Sequence, residues 1–245
     1  MVGGSGCAPM IIVLVPHGVT AGRRERVGEG EQHHLRVRRA GAGDLVALRD
    51  GVGLVGTGRL VASGRAWMVD VEEVERRAQP APLTLAIGAG DRERFAWLVE
   101  KAAELGATRV VPLETERTSG VATRVRATHL AKLRGQALEA IKQCGAAWAL
   151  QVEAPVALAE FAAATGGGLR WLADAAGEAP PAALDGTPVT VVIGPEGGLS
   201  AAERSTLAEA GYRPTVLAPH TLRFETAALA AAAAVTAARL RGTHG

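Results

Sequence analysis

Val189-Thr190-Val191-Val192-Ile193 runs directly into Gly194-Pro195-Glu196-Gly197-Gly198-Leu199-Ser200, and then into Ala201-Ala202-Glu203. The opening run is β-branched and apolar, which reads as a strand buried on both faces. Ser200 with Glu203 three positions on is a capping box, so a helix starts there and gains on the order of 1 kcal/mol from the cap. A strand, a glycine-rich loop and a helix N-terminus in that order let loop and first-turn N–H groups converge on one spot, as a site for an anion or cofactor requires. The same glycines also fit a plain tight strand-to-helix turn. No Lys-Ser/Thr follows them, so the loop is not a Walker A phosphate loop.

Downstream, Pro214 to Leu217 reads as a short strand that feeds Ala218-Pro219-His220-Thr221-Leu222-Arg223-Phe224-Glu225-Thr226-Ala227, and an alanine-rich helix then reaches about Arg241. That helix has high propensity but little side chain to bury, so its stability must come from close backbone packing. A subunit interface and an intramolecular helix contact both fit. The second loop sets Arg223 and Glu225 beside the helix start, a pairing able to bind an anionic transition state and position a base. The alternative is a surface ion pair worth under about 1 kcal/mol.

Upstream, strands and helices alternate. Leu83 to Ile87 is a buried strand; Phe95, Leu98, Val99, Ala102 and Leu105 recur at helical spacing, and Gly106 stops that helix. Arg109 to Leu113 is a strand, His129 to Cys144 a helix with Leu130, Leu133, Ala137, Leu138 and Ile141 inward, and Ala147 to Val152 a strand. Val156 to Ala164 reads as a helix and Leu169 to Ala173 as a strand. This alternation predicts an α/β fold, a mostly parallel sheet with helices on both faces. Ligands in such sheets lie at the carboxyl ends of the strands. A rival site runs from strand to helix at Leu85-Ala86-Ile87-Gly88-Ala89-Gly90-Asp91, the start of a nucleotide-binding fingerprint whose third glycine would fall at Glu93. It keeps open a small-molecule enzyme with a nucleotide at Gly88 to Asp91.

The pattern changes at Gln79-Pro80-Ala81-Pro82, which divides the chain into residues 1–78 and 79–245. Before that point come a strand at Met10 to Val15 and a loop from Gly18 to Gly30. Strand-like pieces follow at Leu35 to Arg39, Leu45 to Leu48, Leu54 to Val61 and Trp67 to Val74, which together suggest a small β-barrel. Residues 1 to 65 hold nine arginines against five acids, net +4, which leaves −2 for the remainder of a chain whose total is +2. A basic first part suits a polyanion, with Arg36, Arg38 and Arg39 offered to a phosphate backbone. A solvated charged surface is the plainer alternative. Adjacent His33 and His34 would point to opposite faces of a strand with no third ligand near, so a structural or RNA-facing role is favoured over a metal.

A chain of 245 residues that is 48% hydrophobic can bury one sizeable core or two modest ones. No stretch reaches the roughly 20 apolar residues of a membrane span. The run before Val15 lacks the basic flank and cleavage site of a signal peptide, and Val2 to Pro9 fits no element, so Met10 could be the start. Cys7 and Cys144 are too few for a disulfide framework or zinc site, which fits a reducing cytoplasm.

Taken together, these residues resemble a known family, the 16S rRNA (uracil-N3)-methyltransferases of the SPOUT class. The strongest match is Gly194-Pro195-Glu196-Gly197-Gly198-Leu199-Ser200 with Leu222-Arg223 and Glu225-Thr226-Ala227. Lys101, Glu104-Leu105-Gly106, Pro112, Glu116-Arg117 and Gln143-Cys144-Gly145 match too, as do His33-His34-Leu35, Arg39 and Gly43-Asp44 in the first part. The resemblance implies a PUA-like RNA-binding barrel over residues 1–78 and a SPOUT domain over 79–245. The latter would be tied in a C-terminal trefoil knot that no general rule of topology predicts.

It further implies a homodimer that methylates N3 of a uridine in 16S rRNA or the small ribosomal subunit, with S-adenosylmethionine (AdoMet) as cofactor. Cofactor contacts would fall at Asp174, Ile193, Gly194, Gly197, Gly198, Leu217, Ala218 and Leu222, and RNA contacts at His34, Arg36, Arg38, Arg39 and Arg117. Arg223 would hold the anion, with Glu225 or Glu196 as base. The chain departs from the family pattern at Ala89 for lysine, Ala146 for arginine, Ala218 for glycine, His220 for arginine and Phe224 for threonine. A non-catalytic RNA-binding dimer is the remaining alternative.

Overall fold

The structure is a computed structural model that describes residues 10–164 and 166–242; Cys7 and the segment before Met10 lie outside the described residues. The chain separates into two compact units, one reaching Gln79 and including Ile141–Ala149, the other formed by Pro80–Ala140 and the chain from Leu150.

The first unit holds β1 (Ile12–Leu14), β2 (Arg24–Arg26), helix α1 (Glu29–Val37), β3 (Leu45–Arg49), β4 (Leu54–Ser63) and β5 (Ala66–Arg76). Its five-stranded sheet has the order β1-β3-β4-β5-β2, with β1 parallel to β3 and the other pairs antiparallel. Gly56 and Gly58 let β5 come close: a Cβ there would sit 2.4 Å from the Glu73 carbonyl oxygen and 2.7 Å from that of Asp70, where the β4–β5 register shifts. Val13, Leu48, Leu54, Leu60 and Val69 form the core with Leu35 from α1.

Two expectations for this unit fail. The expected loop from Gly18 to Gly30 contains β2, paired with β5 from Arg24 opposite Asp70 to Arg26 opposite Met68. The expected strand at Leu35 to Arg39 is instead the end of α1. Leu35-Arg36-Val37-Arg38 alternates apolar and charged residues, but the side chains that bury are Glu31 and Leu35, four apart on one helical face, while Val37 is 66% exposed. Arg39 closes the helix at φ +54°, a left-handed position usually taken by glycine, so the sequence carries no visible stop signal. His33 and His34 therefore sit on a helix rather than on opposite faces of a strand.

Segment 141–149 adds three polar contacts to the unit. Lys142 forms an ion pair with Glu31, and both side chains are under 10% exposed. Arg49 Nε donates to the Gly145 carbonyl (3.0 Å) and Trp148 Nε1 to that of Arg77 (3.1 Å).

The second unit contains β6 (Leu83–Ile87), α2 (Arg92–Glu104), β7 (Arg109–Glu114), a 3-10 turn (Ala127–His129), α3 (Leu130–Cys144), β8 (Gln151–Val152), β9 (Val156–Ala157) and α4 (Leu158–Ala164). It continues with β10 (Leu169–Glu178), β11 (Val189–Ile193), α5 (Ala201–Glu209), β12 (Arg213–Thr215) and α6 (Phe224–Gly242); the last turn of α3 belongs to the first unit. The strands form a seven-stranded sheet ordered β12-β10-β11-β6-β7-β8, with β9 beside β7, and every pairing is parallel. The expected mostly parallel sheet with helices on both faces is thus present. β6 and β11 are buried along their whole length. Leu85, Ile87, Val191 and Ile193 pack with Phe95, Leu98 and Val235 from α2 and α6. Ala86 and Val192 face Phe161 and Leu207 from α4 and α5, the alternation a strand covered on both sides requires.

Several boundaries move. Val156–Ala157 is a strand beside β7, and its helix starts only at Leu158. β8 is limited to Gln151–Val152. β10 runs on to Glu178, and the last strand is Arg213–Thr215. Leu138, expected inward, is 37% exposed, because the apolar face of α3 runs through Leu133, Ala137 and Ile141. The alanine-rich helix buries Ala228, Ala231, Ala232 and Val235 completely against α2, β6 and β11, so close intramolecular packing supports it. Arg239 ties its end to the Ala81, Pro82 and Thr187 carbonyls, and partial burial pulls the Arg239 pKa below its usual value.

Candidate functional site

A cavity of about 210 Å³ opens at the carboxyl ends of β10 and β11, where a parallel sheet is expected to take its ligand. Three stretches supply most of its wall. β10 contributes Leu172 and Asp174; the loop after β11 contributes Gly194, Glu196 and Gly198; the loop entering α6 contributes Leu217, Ala218 and Leu222. The two loops singled out in the sequence therefore form walls of one cavity.

The first loop is held in place by the capped helix. Ser200 Oγ accepts from Glu203 N (3.2 Å), and Glu203 Oε2 accepts from Ser200 N (2.8 Å), so the capping box forms as the sequence indicates. Glu203 is buried, and its other oxygen accepts from Glu116 N (2.9 Å) beyond β7. Ser200 Oγ also donates to the Glu116 carboxylate (2.9 Å). One carboxylate thus ties the start of α5 to Glu116, which the sequence pattern gave no means of seeing.

Arg117 lies over the glycine loop as a result. A Cβ at Gly197 would sit 3.1 Å from Arg117 Cδ, and one at Gly198, where φ is +75°, 3.7 Å from its guanidinium. Gly197, expected among the cofactor contacts, lies under Arg117 and outside the cavity lining. The other seven, Asp174, Ile193, Gly194, Gly198, Leu217, Ala218 and Leu222, all line it.

Asp174 forms an ion pair with Arg204 from α5, itself a lining residue, and accepts from Ala176 N (2.9 Å). That backbone bond, and then the Arg204 guanidinium, hold its pKa below the usual aspartate value. The sequence reading missed Arg204, whose only signal is its place one turn after the Ser200 cap.

The three catalytic candidates part company. Glu196 is exposed and lines the cavity. Arg223 is exposed, stands outside the lining and precedes the first turn of α6, where its carbonyl accepts from Ala227 N (2.8 Å). Glu225 is buried, and its ion-pair partner is Arg94 of α2 (3.7 Å) rather than Arg223.

Of the rival glycine pair, Gly88 has a packing role. A Cβ at Gly88 would meet Pro195 Cδ at 2.9 Å and Thr115 Cγ2 at 3.0 Å, so Gly88 lets the loop after β6 lie against the loop after β11. Asp91 caps α2 by accepting from Glu93 N and Arg94 N. Of the expected RNA contacts in the first unit, His34 and Arg36 lie on α1, and Arg38 and Arg39 are exposed just after it. Among the described residues no group of three His, Cys, Asp or Glu side chains is arranged to hold a metal ion, and no helix is long and apolar enough to cross a membrane.

A parallel sheet with a cavity at its strand ends, walled by a glycine loop and a helix start, defines an α/β protein with a cavity open to a small molecule. Residues 77–236 match the family described as an RNA methyltransferase domain. The chain is 31% identical over 216 residues to the ribosomal RNA small subunit methyltransferase E of Synechocystis, an alignment covering 84% of this chain and 70% of that one. The enzyme of the same name from Neisseria gonorrhoeae, solved bound to S-adenosyl methionine, superposes with a TM-score of 0.81 at 24% identity, covering 92% of this chain and 96% of that one. A protein from Legionella pneumophila, solved in complex with the bound cofactor SAM, gives 0.76 at 26% identity, covering 91% and 95%. The chain belongs to the ribosomal RNA small subunit methyltransferase E family of RNA methyltransferases.

Proposed function

We propose that this protein methylates small-subunit ribosomal RNA with AdoMet as cofactor, at N3 of a uridine. The observation that carries the reading is the gathering around one cavity of seven residues that the family resemblance assigns to the cofactor. Small-molecule sites enclose roughly 300–1,000 Å³, so a cavity of about 210 Å³ holds part of a nucleoside-sized cofactor and leaves the rest facing the substrate side. Its chemistry fits. Leu172, Ile193, Leu199, Leu217 and Leu222 give apolar surface for a base, Gly194 and Gly198 allow close backbone approach, and Asp174 offers a carboxylate to a hydroxyl or ammonium donor.

AdoMet, when bound, supplies an electrophilic methyl group on a sulfonium. The residues of the chain then have two tasks, to orient the uracil and to handle the weakly acidic N3 proton. Glu196, exposed at the cavity wall, is the base that takes that proton. Arg223 holds the negative charge left on the uracil, and positioning of the two reactants supplies much of the rate. Glu225, buried beside Arg94, supports the wall and is not the base.

The remaining parts of the reading follow the same family. The first unit is a PUA-like RNA-binding domain, with His34, Arg36, Arg38 and Arg39 along the RNA and Arg117 near the target nucleotide. The second is a SPOUT domain with a C-terminal knot, and the protein works as a cytoplasmic homodimer. The test is reverse transcription of small-subunit rRNA from cells with and without the gene. A methyl on N3 blocks the pairing edge, so a stop that vanishes in the deletion strain identifies activity and nucleotide together; unchanged stops throughout the rRNA refute the reading.

A further inference from the structure

Glu225 opens the first turn of α6 and is 9% exposed, yet its Oε2 has no hydrogen-bond partner among the described residues. Its Oε1 is 3.7 Å from Arg94 Nη1. Arg94 is also 3.5 Å from Asp91 Oδ2, and the other Asp91 oxygen caps α2. These charges form a chain from the loop after β6, through the first turn of α2, to the first turn of α6. That turn carries Phe224 and Ala227 of the cavity wall and follows Leu222. A buried carboxylate without a cation is unstable, and the cation opposite Glu225 is Arg94, whose own side chain is 41% exposed.

Resting on the AdoMet reading above, we infer that Arg94 is a positioning residue for cofactor binding: outside the cavity itself, it acts through Glu225 to fix the wall that runs from Leu222 to Ala227. Removing the guanidinium leaves the carboxylate buried and unpaired, and the first turn of α6 must shift or take up water. Removing the charge on Glu225 as well makes the cation unnecessary.

The test is AdoMet binding by calorimetry to the full chain and three variants, with thermal melts run alongside. Arg94→Ala weakens AdoMet binding about tenfold, the size of coupling that members of one charged network show. The double variant Arg94→Ala/Glu225→Gln recovers to within about threefold of the parent. Arg94→Lys, which keeps the charge but cannot reach both carboxylates in a fork, falls between; it carries the test if Arg94→Ala does not fold. Unchanged affinity in the folded single variants overturns the inference, as does a double variant as weak as Arg94→Ala. A role in stability alone would lower the melting temperature and leave the affinity of the folded protein intact. Failure of the parent chain itself to bind AdoMet would instead overturn the cofactor assignment.

Discussion

Asp174 meets the cavity with a carboxylate whose pKa is lowered by the Ala176 amide and the Arg204 guanidinium. A depressed pKa means that the folded state favours the ionised form. This contribution is fully present above the ordinary aspartate value of about 3.9 and is lost as pH falls through the lower folded value. Melting curves of the parent and Asp174→Asn should therefore differ at neutral pH and converge in acid; a constant gap down to the lowest pH refutes the ion pair's role. Arg223→Ala should abolish methylation and leave the melt unchanged, since the exposed side chain has no ion-pair partner among the described residues; near-normal activity would remove it from the mechanism. Residue types at strand ends were readable in advance because glycine, a capping serine and charged residues beside a helix start each have a local physical meaning. Arg94 and Arg204 were not, since each matters through a carboxylate far away in sequence, Glu225 and Asp174.

The element on which the site depends most is α5 with its capping box. Ser200→Ala removes the cap and should cost about 1 kcal/mol in denaturant melts. Glu203→Ala should cost more, because it frees both Ser200 N and Glu116 N and releases the loop under Arg117. Gly198→Val forces a β-branched side chain to φ +75° and should abolish AdoMet binding. Gly90→Ala, whose Cβ meets only ordinary contacts at 3.5 Å, should retain it. The reverse pattern in calorimetry would restore the nucleotide site at Gly88 to Asp91. Long buried strands such as β6 and β11, and α2 with its helical spacing and Gly106 stop, were legible because pattern and punctuation agree. α1 was not. Its period-two run of Leu35-Arg36-Val37-Arg38 mimics a strand, and burial of Leu35 in the first unit's core decides the matter.

At the scale of the whole molecule, the composition shift at Gln79 marks a change in fold pattern, yet the first unit also takes in Ile141–Ala149. No local signal reveals that return, because Lys142 reads as one more polar residue on the outside of a helix until Glu31 is found opposite it. Lys142→Ala should cost about 3–5 kcal/mol, the effect of stranding a buried charge, while Lys142→Ala/Glu31→Gln should recover most of it. A loss under 1 kcal/mol in the single variant would show the pair to be solvated. The same feature sets a timetable for synthesis. Glu31 leaves the ribosome long before its partner, and about 70 further residues must follow Gln79 before segment 141–149 is complete. At about 5–20 residues per second that is a delay of about 4 to 14 s. Through that interval the nascent N-terminal unit carries an unmatched acid in its interior, so it cannot settle into its final form until more than half of the chain has been made.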